Sequence, residues 1–569
     1  MRGMTVLATA LAPWLASAVA GAPPSPVFVR TADSDEWVRR TFLVQSDPRR
    51  VLVVSARGDR PGSVEVAPLR LNRPQQSGPS RRHRVDAVFP TLQEAADAAR
   101  GGDLVAVLPG VYAGFVLRDK PDAGDGRYVH FKALGRPGEV TIDRAGPDPD
   151  WMVLFQGAHH AILEGFEIAG HAGPGLPPEG ARAGIMIDGD FGRTGRMAHH
   201  IALVSNFSHN HRKWGFHSTD SHTVLIQDNL FALSALEHSG YASDGSDNYL
   251  IRRNVFHGSH ASGLQCNLDT VSSFHEVLKH PAFADFPKEE PTRTWALALV
   301  RRATELFGEH NFPDGKGENF IIEDNVIWGN GQGGGGSLNL ASLQDSLVQN
   351  NLIYGNLNHG IAQWDDANPY DAASAEPGPQ TAEAVKGPDD LPLWGCRGNH
   401  VRNNTVLMAN RGRAALQARN GSWGGRYRNN LVVNDVASSI EVWNTSFFRL
   451  DSGYNVANAV TYPGSPEPLG RLAVALDETN HSTLGITRER AAAELVRYGE
   501  QPWVLIEGHW WRLNPDRPDF RPNAGSRLFA GTGDWSDVPR ADLIGHRRSA
   551  ADIGALAAAP AAAPAAAAK

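Results

Sequence analysis

VLIQDNLF at 224–231, YLIRRNVF at 249–256, NFIIEDNVI at 319–327, DSLVQNNLI at 345–353, GNHVRNNTV at 398–406 and GRYRNNLVV at 425–433 are six versions of one segment. Each alternates apolar and polar residues as a strand does and then reaches an Asn at a turn. That Asn recurs at Asn206, Asn229, Asn254, Asn325, Asn351, Asn404, Asn430 and Asn455, and subtracting neighbours gives steps of 23, 25, 71, 26, 53, 26 and 25. Five steps share one period and two are too long, which marks a repeat architecture carrying insertions. Asn takes a left-handed turn conformation more readily than other non-Gly residues, and stacked Asn side chains can hydrogen-bond from one layer to the next. The expected fold is therefore all-β, a right-handed parallel β-helix whose coils stack about 4.8 Å apart. Leucine-rich repeats share the period, but their leucine spacing is missing.

The balance of 54 basic and 62 acidic residues, a net charge of −8, argues against nucleic acid as a partner. The 59 glycines suit a solenoid with tight turns. Cys266 and Cys396 are the two cysteines, so disulfides are not the main brace, and Cys266 at an inward strand position reads as a small core hydrophobe. No zinc-like His or Cys spacing stands out, and GQGGGGS at 331–337 reads as a tight coil corner rather than a nucleotide loop. A basic start at Arg2, an apolar stretch and small residues at Ala18 and Ala20 give residues 1–20 the form of a secretory signal peptide. The expected location is secreted or periplasmic, with no membrane span in the mature chain and a monomeric state.

Residues 27–85 carry no assignable pattern. Thr91 and Glu94 have capping-box spacing ahead of an Ala-rich stretch, which predicts a short helix covering the first coil of a β-helix over 86–460. The two long steps place insertions at about 270–317 and 367–397, where loops would build the walls of a groove. In the first, Trp295, Leu299, Ala303 and Leu306 form a helical stripe expected to pack on the coils. The second ends at Trp394 and reads as a lid. Residues 461–554 are expected to cap the far end, followed by an Ala/Pro-rich tail at 555–569 that reads as disordered or a linker.

HRKWGFHSTDSHTVLIQDN (211–229), EHSGYASDGSDNYLIRRN (237–254), SHASGLQCNLD (259–269), the run from Glu323 to Ile361, and the closing NAGSRLFAGTGDW (523–535) with DIGALA (552–557) carry a resemblance. Over residues 86–460 the chain resembles the secreted right-handed parallel β-helix repeat proteins of the pectate-lyase-like superfamily. That resemblance implies a scaffold shared by polysaccharide lyases, uronan epimerases, glycoside hydrolases and non-enzymatic adhesins. The segment after Asp269 is expanded here relative to the family.

Alternation within each coil sorts the candidate residues into columns. With Ile185, Phe216, Gly240, Leu264, Leu338 and Ile361 inward, the outward column is Met186, His217, Tyr241, Gln265, Asn339 and Ala362. A second outward column is Asp188, Thr219, Ser243, Asn267, Ala341 and Trp364; Lys213, His211, Glu237 and His238 fall at one margin, and Asp220, Asp244 and Asp269 at the other. These residue types fit β-elimination on an anionic, uronic-acid polysaccharide, or epimerisation of it, in which the same residues return the proton to the opposite face. His217 is the base, with His238 as second choice; Tyr241 is the acid, Lys213 stands beside them, and Gln265, Asn267, Asn339 and Asp188 bind the sugar. Trp364, Trp443 and Trp214 offer surfaces on which sugars stack, and Arg419 pairs with an acidic substrate or with Glu441. Asp188, Asp220, Asp244 and Asp269 have three readings: turn residues, a Ca²⁺ site, with Asp220, Asp244 and Asp269 as its ligands, or paired carboxylates of a glycoside hydrolase. A non-catalytic carbohydrate-binding solenoid is the remaining alternative.

Overall fold

The computed structural model describes residues 34–42, 47–69, 71, 79–120, 126–173, 179–366, 368–371, 391–408, 413–419, 421–434, 436–443, 446, 449–461 and 480–559. The proposed signal segment 1–20, most of the second insertion and the tail beyond 559 lie outside these residues. Three long parallel sheets, one of 13 strands and two of 11, run side by side through the chain, and this is a parallel β-helix. One coil shows the plan: Trp214–Thr219, a one-residue corner at Asp220, Ser221–Gln227, a two-residue corner at 228–229, then Leu230–Ala232. Each of these strands pairs with its counterpart one coil on, Phe216 with Gly240, Val224 with Tyr249 and Leu230 with Val255.

The recurrent asparagines close into a continuous buried ladder. The Asn206 amide N–H and side-chain Nδ2 both donate to Asn229 Oδ1, at 2.9 and 3.1 Å, and the same pair of bonds repeats from coil to coil as far as Asn455. Each Nδ2 also reaches a main-chain carbonyl, for example Ile226 for Asn254 and Ile251 for Asn325. The ladder residues are not themselves the left-handed ones. That conformation falls one residue earlier, at Ser205, Asp228, Arg253, Asp324, Asn350, Asn403, Asn429 and Tyr454, with φ between 51° and 58°. Asn is thus selected for its amide, which offers a donor and an acceptor along the stacking direction.

Inside the coils, Ile185, Phe216, Leu264, Leu338 and Ile361 are buried in one apolar column with Cys266 and Cys396, both free thiols. Gly240 belongs to the same inward column because a Cβ there would stand 2.3 Å from the Phe216 ring. The solenoid starts earlier than residue 86. Arg50–Val54 lies in the 13-stranded sheet between Ala87–Phe89 and Asp103–Val107. Helix α1 (Ser34–Thr41) packs outside that sheet, and its Asp35 pairs with the buried Arg252 at 2.8 Å. Helix α2 (Leu92–Ala98) has its N-terminus capped by Thr91, which accepts from the Glu94 N–H, and it buries Leu92, Ala95 and Ala96 against the coils.

The first insertion contains two helices beyond a one-turn helix α3 (Phe191–Thr194): α4 (Thr270–Lys279), which the sequence reading left undivided, and α5 (Arg293–Phe307). Trp295, Leu299 and Ala303 are buried, as the stripe requires, but Leu306 is 39% exposed and Ala296 takes its place. They build a satellite core with Phe191, Phe274, Val277, Phe283, Tyr370 and Trp394, so the two insertions pack on each other as well as on the coils. The chain after 480 does not simply end the solenoid. It runs back along its flank, where Ile486, Phe520, Phe529 and Ile553 pack on Leu230, Val255, Leu352 and Val433. Ala555 and Leu556 are buried within this cover, so the expected tail begins later than 555. Among the described residues no helix is long and apolar enough to cross a membrane.

Loss of one ladder side chain leaves its neighbours' buried donors and acceptors unpaired, at about 1–3 kcal/mol each. Asn325→Ala is expected to lower the thermal midpoint sharply, and Asn455→Ala, at the ladder's end, to lower it less. Equal effects in thermal melts would count against the ladder as a cooperative element.

Candidate functional site

The outward column falls in the expected register: Met186 beside His217, His217 beside Tyr241, Tyr241 beside Gln265, Gln265 beside Asn339 and Asn339 beside Ala362. Parallel pairing stacks like positions at one strand spacing, so the side chains meet face to face. The His217 and Tyr241 rings lie 4.9 Å apart and 10° from parallel. Trp214 covers His217 from the strand entry at 4.4 Å, and Trp151, two coils below, stacks towards Trp214 at 6.4 Å across the small Ala183. The Arg182 guanidinium lies over both indoles, 5.2 and 5.4 Å from their centroids. Lys213 Nζ stands 4.9 Å above Trp214 and pairs with Glu237. Trp151 and Arg182 were missed by the sequence reading because they sit before the regular repeat begins.

His217 Nε2 is 3.0 Å from Ser243 Oγ, which also reaches the Ser218 carbonyl and Asp244 Oδ2. With the Ser243 hydroxyl donating to either oxygen, Nε2 carries the proton and the Nδ1 lone pair remains. That Nδ1 is buried and has no hydrogen-bond partner among the described residues. Burial, with Arg182, His238 and Lys213 adding to it, pushes the His217 pKa down to about 3, so the ring is neutral near pH 7. His238 is pushed down to about 4, chiefly by burial, and its Nδ1 accepts the Ser262 N–H at 3.0 Å. A neutral His238 therefore presents a donor at Nε2, which suits it poorly as the base. Burial and the nearby Asp244 raise Tyr241, so its phenol stays protonated. His211 departs from the expected margin: it is fully buried, with Nε2 2.9 Å from Ser208 Oγ.

Further along the column, Asn339 Nδ2 donates to Gln265 Oε1 at 2.6 Å and Asn339 Oδ1 accepts from Trp364 Nε1 at 2.8 Å. Asn267 Nδ2 donates to Asp366 at 3.0 Å. Arg419 lies over Trp364 at 6.0 Å, while Glu441 accepts from Gln417 and from Trp443 Nε1. The amides are thus held in a chain rather than left pointing freely outward.

Beside this column the corner residues form a cavity of about 540 Å³ lined by Asp188, Asp190, Thr219, Asp220, Asp244, Ser272, His275, Glu276 and Lys279. Asp220 is a one-residue corner and Asp244 opens a three-residue one; both are left-handed, at φ 44° and 48°, which their short polar side chains tolerate. Asp190 is paired with Arg193 and Glu276 with Lys279, whereas no ion pair among the described residues reaches Asp188, Asp220 or Asp244. Burial, with repulsion from Asp190 and Glu276, raises Asp188 to about 6; burial, with repulsion from Asp269 and Glu276, raises Asp244 to about 7; and burial, with repulsion from Asp244 and Asp188, raises Asp220 well above the usual carboxylate range. Asp220 Oδ1 is buried with no hydrogen-bond partner among the described residues. Three such carboxylates on successive coils fit a hard divalent cation with oxygen ligands. Asp269 is placed differently: its carboxylate caps α4, accepting from the Val271 and Ser272 N–H groups. Asp188 belongs with this cavity rather than with the sugar-facing amides. Asp190, Glu276 and Lys279 join the site only through folding, since α3 and α4 deliver them.

Fold and face together define the class: a parallel β-helix protein with aromatic, cationic and acidic groups gathered on one sheet. No family model and no curated protein matches the chain. Solved structures similar to it include pectate lyase Pel9A, at 13% identity over 82% of this chain and 90% of that one with a TM-score of 0.45. An alginate lyase from Paenibacillus sp. str. FPU-7 is similar at 12% identity over 64% and 95%, TM-score 0.32. An exopolygalacturonase from Thermotoga maritima is similar at 9% identity over 66% and 82%, TM-score 0.31.

A carboxylate pushed up to about 7 is destabilising when ionised and is relieved by neutralisation. Asp244→Asn is expected to raise the metal-free thermal midpoint at pH 7.5 by at least about 2 °C. Ca²⁺ should raise the wild-type midpoint and have a weaker effect on the variant; differential scanning calorimetry with and without chelator checks both.

Proposed function

We propose that this protein is a carbohydrate-active enzyme that cleaves a uronic-acid-containing polysaccharide by β-elimination. The observation that carries this reading is His217: a neutral imidazole with an uncommitted Nδ1, stacked on a protonated Tyr241 and flanked by Arg182 and Lys213. The sugar carboxylate pairs with the cations, which acidifies the C5 proton. His217 Nδ1 takes that proton, the C4–O bond breaks, a C4=C5 double bond forms, and the Tyr241 hydroxyl protonates the leaving oxygen. Docking an anion beside Arg182 and Lys213 offsets the charges that help hold His217 down, so substrate binding raises the base towards working strength. Trp151, Trp214 and Trp364 supply faces for sugar rings.

Asp188, Asp220 and Asp244 would hold Ca²⁺, which when bound supplies further positive charge for the substrate carboxylate. A second reading, glycoside hydrolysis, is favoured by Asp244 alone: a carboxyl at about 7 is partly protonated at neutral pH, as a general acid must be.

The test is ultraviolet absorbance on a panel of uronic-acid polysaccharides at saturating Ca²⁺. Wild type should generate the absorbance of the new double bond, and His217→Ala or Tyr241→Phe should cost about 10²-fold or more. New reducing ends without absorbance, abolished by Asp244→Asn, would transfer the case to hydrolysis; neither signal, with C5 inversion by NMR, would indicate epimerisation. Because the base is neutral far below pH 6.5, kcat/KM should stay level as pH falls from 7 to about 5. An acid limb near 6.5 that persists at saturating Ca²⁺ would remove His217 from the role of base.

A further inference from the structure

The 13-stranded sheet carries a second polar constellation that the proposed reaction does not use. Ala158-His159-His160 and Ala198-His199-His200 begin two neighbouring strands, His159–Glu164 and Ala198–Val204, in register with His199 beside His159. His222 continues the column on the next coil. The rings of His159, His199 and His222 stack at 4.9 and 5.1 Å, within 10° of parallel, and those of His160 and His200 stack at 4.5 Å. His160 and His200 are both held in the left-handed conformation, at φ 51° and 54°, which turns them onto a common side.

His160, His199 and His200 can each offer one ring nitrogen such that the three lie within 4.8 Å of one another. We infer that these three histidines form a site for a divalent transition-metal ion of the zinc type, which ties the 158–164 coil to the 198–204 coil. Three imidazoles are a donor set of intermediate softness that suits Zn²⁺ or Cu²⁺ and is a poor one for Ca²⁺. The ligands must be unprotonated, and burial with repulsion among the rings favours that state, with His200 pushed down to about 3. The Nδ1 atoms of His199 and His200 are 2.8 Å apart, so in the metal-free protein one ring donates there and the accepting ring carries its proton on Nε2; ligation by both rings requires that hydrogen bond to break and the accepting ring to change tautomer. Where the next coils would continue the His160–His200 column they carry Thr223, Asn248 and Asn319, also left-handed, which limits that column, and with it the three-histidine site, to two coils. No short sequence spacing betrays the site because His160 and His200 are 40 residues apart and become neighbours only through coil stacking.

The test uses the full chain without a polyhistidine tag, stripped with chelator and then titrated with Zn²⁺ in the presence of excess Ca²⁺ to occupy the acidic cavity. One Zn²⁺ per chain is expected, with a raised thermal midpoint. The double variant His160→Asn/His200→Asn keeps residues that tolerate the left-handed conformation and should weaken Zn²⁺ binding at least about tenfold, whereas Asp220→Asn should leave it unchanged. Electron paramagnetic resonance of the Cu²⁺-loaded wild type gives a readout independent of any variant's folding, and couplings to imidazole nitrogens are expected. Absence of stoichiometric Zn²⁺, loss of binding in Asp220→Asn alone, or an all-oxygen Cu²⁺ spectrum would overturn the site.

Discussion

A buried amide can neither be left unpaired nor easily replaced, and the stacked asparagines turn that constraint into the organising element of the solenoid. Asn206 to Asn430 each hand a donor pair to the next Oδ1, ending at Asn455, while a third bond reaches a main-chain carbonyl. Parallel strands hydrogen-bond to their neighbours in any of several registers, but the amide column accepts one. Once coil n is locked to coil n+1 at this corner, every other position of the coil is locked as well, including His217 against Tyr241 on the opposite sheet.

Strict register has a second consequence: like residues stack on like. For apolar positions this builds the continuous core that runs from Leu52 to Ala457. For titratable positions it builds tension, since like charges at one strand spacing repel. Burial first, and after it repulsion from the stacked partners, raises Asp220 and holds His199 neutral. Several of the perturbed groups, Asp220, Asp244 and His200 among them, are themselves left-handed residues at the coil corners.

The insertions convert a regular face into a site. α4 carries Ser272, His275, Glu276 and Lys279 to the acidic cavity, and its own start is secured by Asp269. The satellite core of Phe274, Trp295, Tyr370 and Trp394 fixes that helix against the coils. The C-terminal cover does the corresponding work on the other flank, where the apolar strand faces around Leu230 and Leu431 would otherwise meet water.

The periodic asparagines and alternating strands were enough to determine the β-helix, its coil length, and the column order of His217, Tyr241, Gln265 and Asn339, because a period-two strand in a fixed register leaves side-chain direction no freedom. Tertiary structure alone decided the rest. Asn serves as a bridge between coils rather than as the left-handed turn residue, a distinction of one position that the spacing cannot express. Asp269 became a helix cap and His211 a core residue because α4 and the turn at Ser208 claimed them. Arg182 reached the two tryptophans, and His160 reached His200, across coils of irregular length, where distance along the chain carries no information about distance in space.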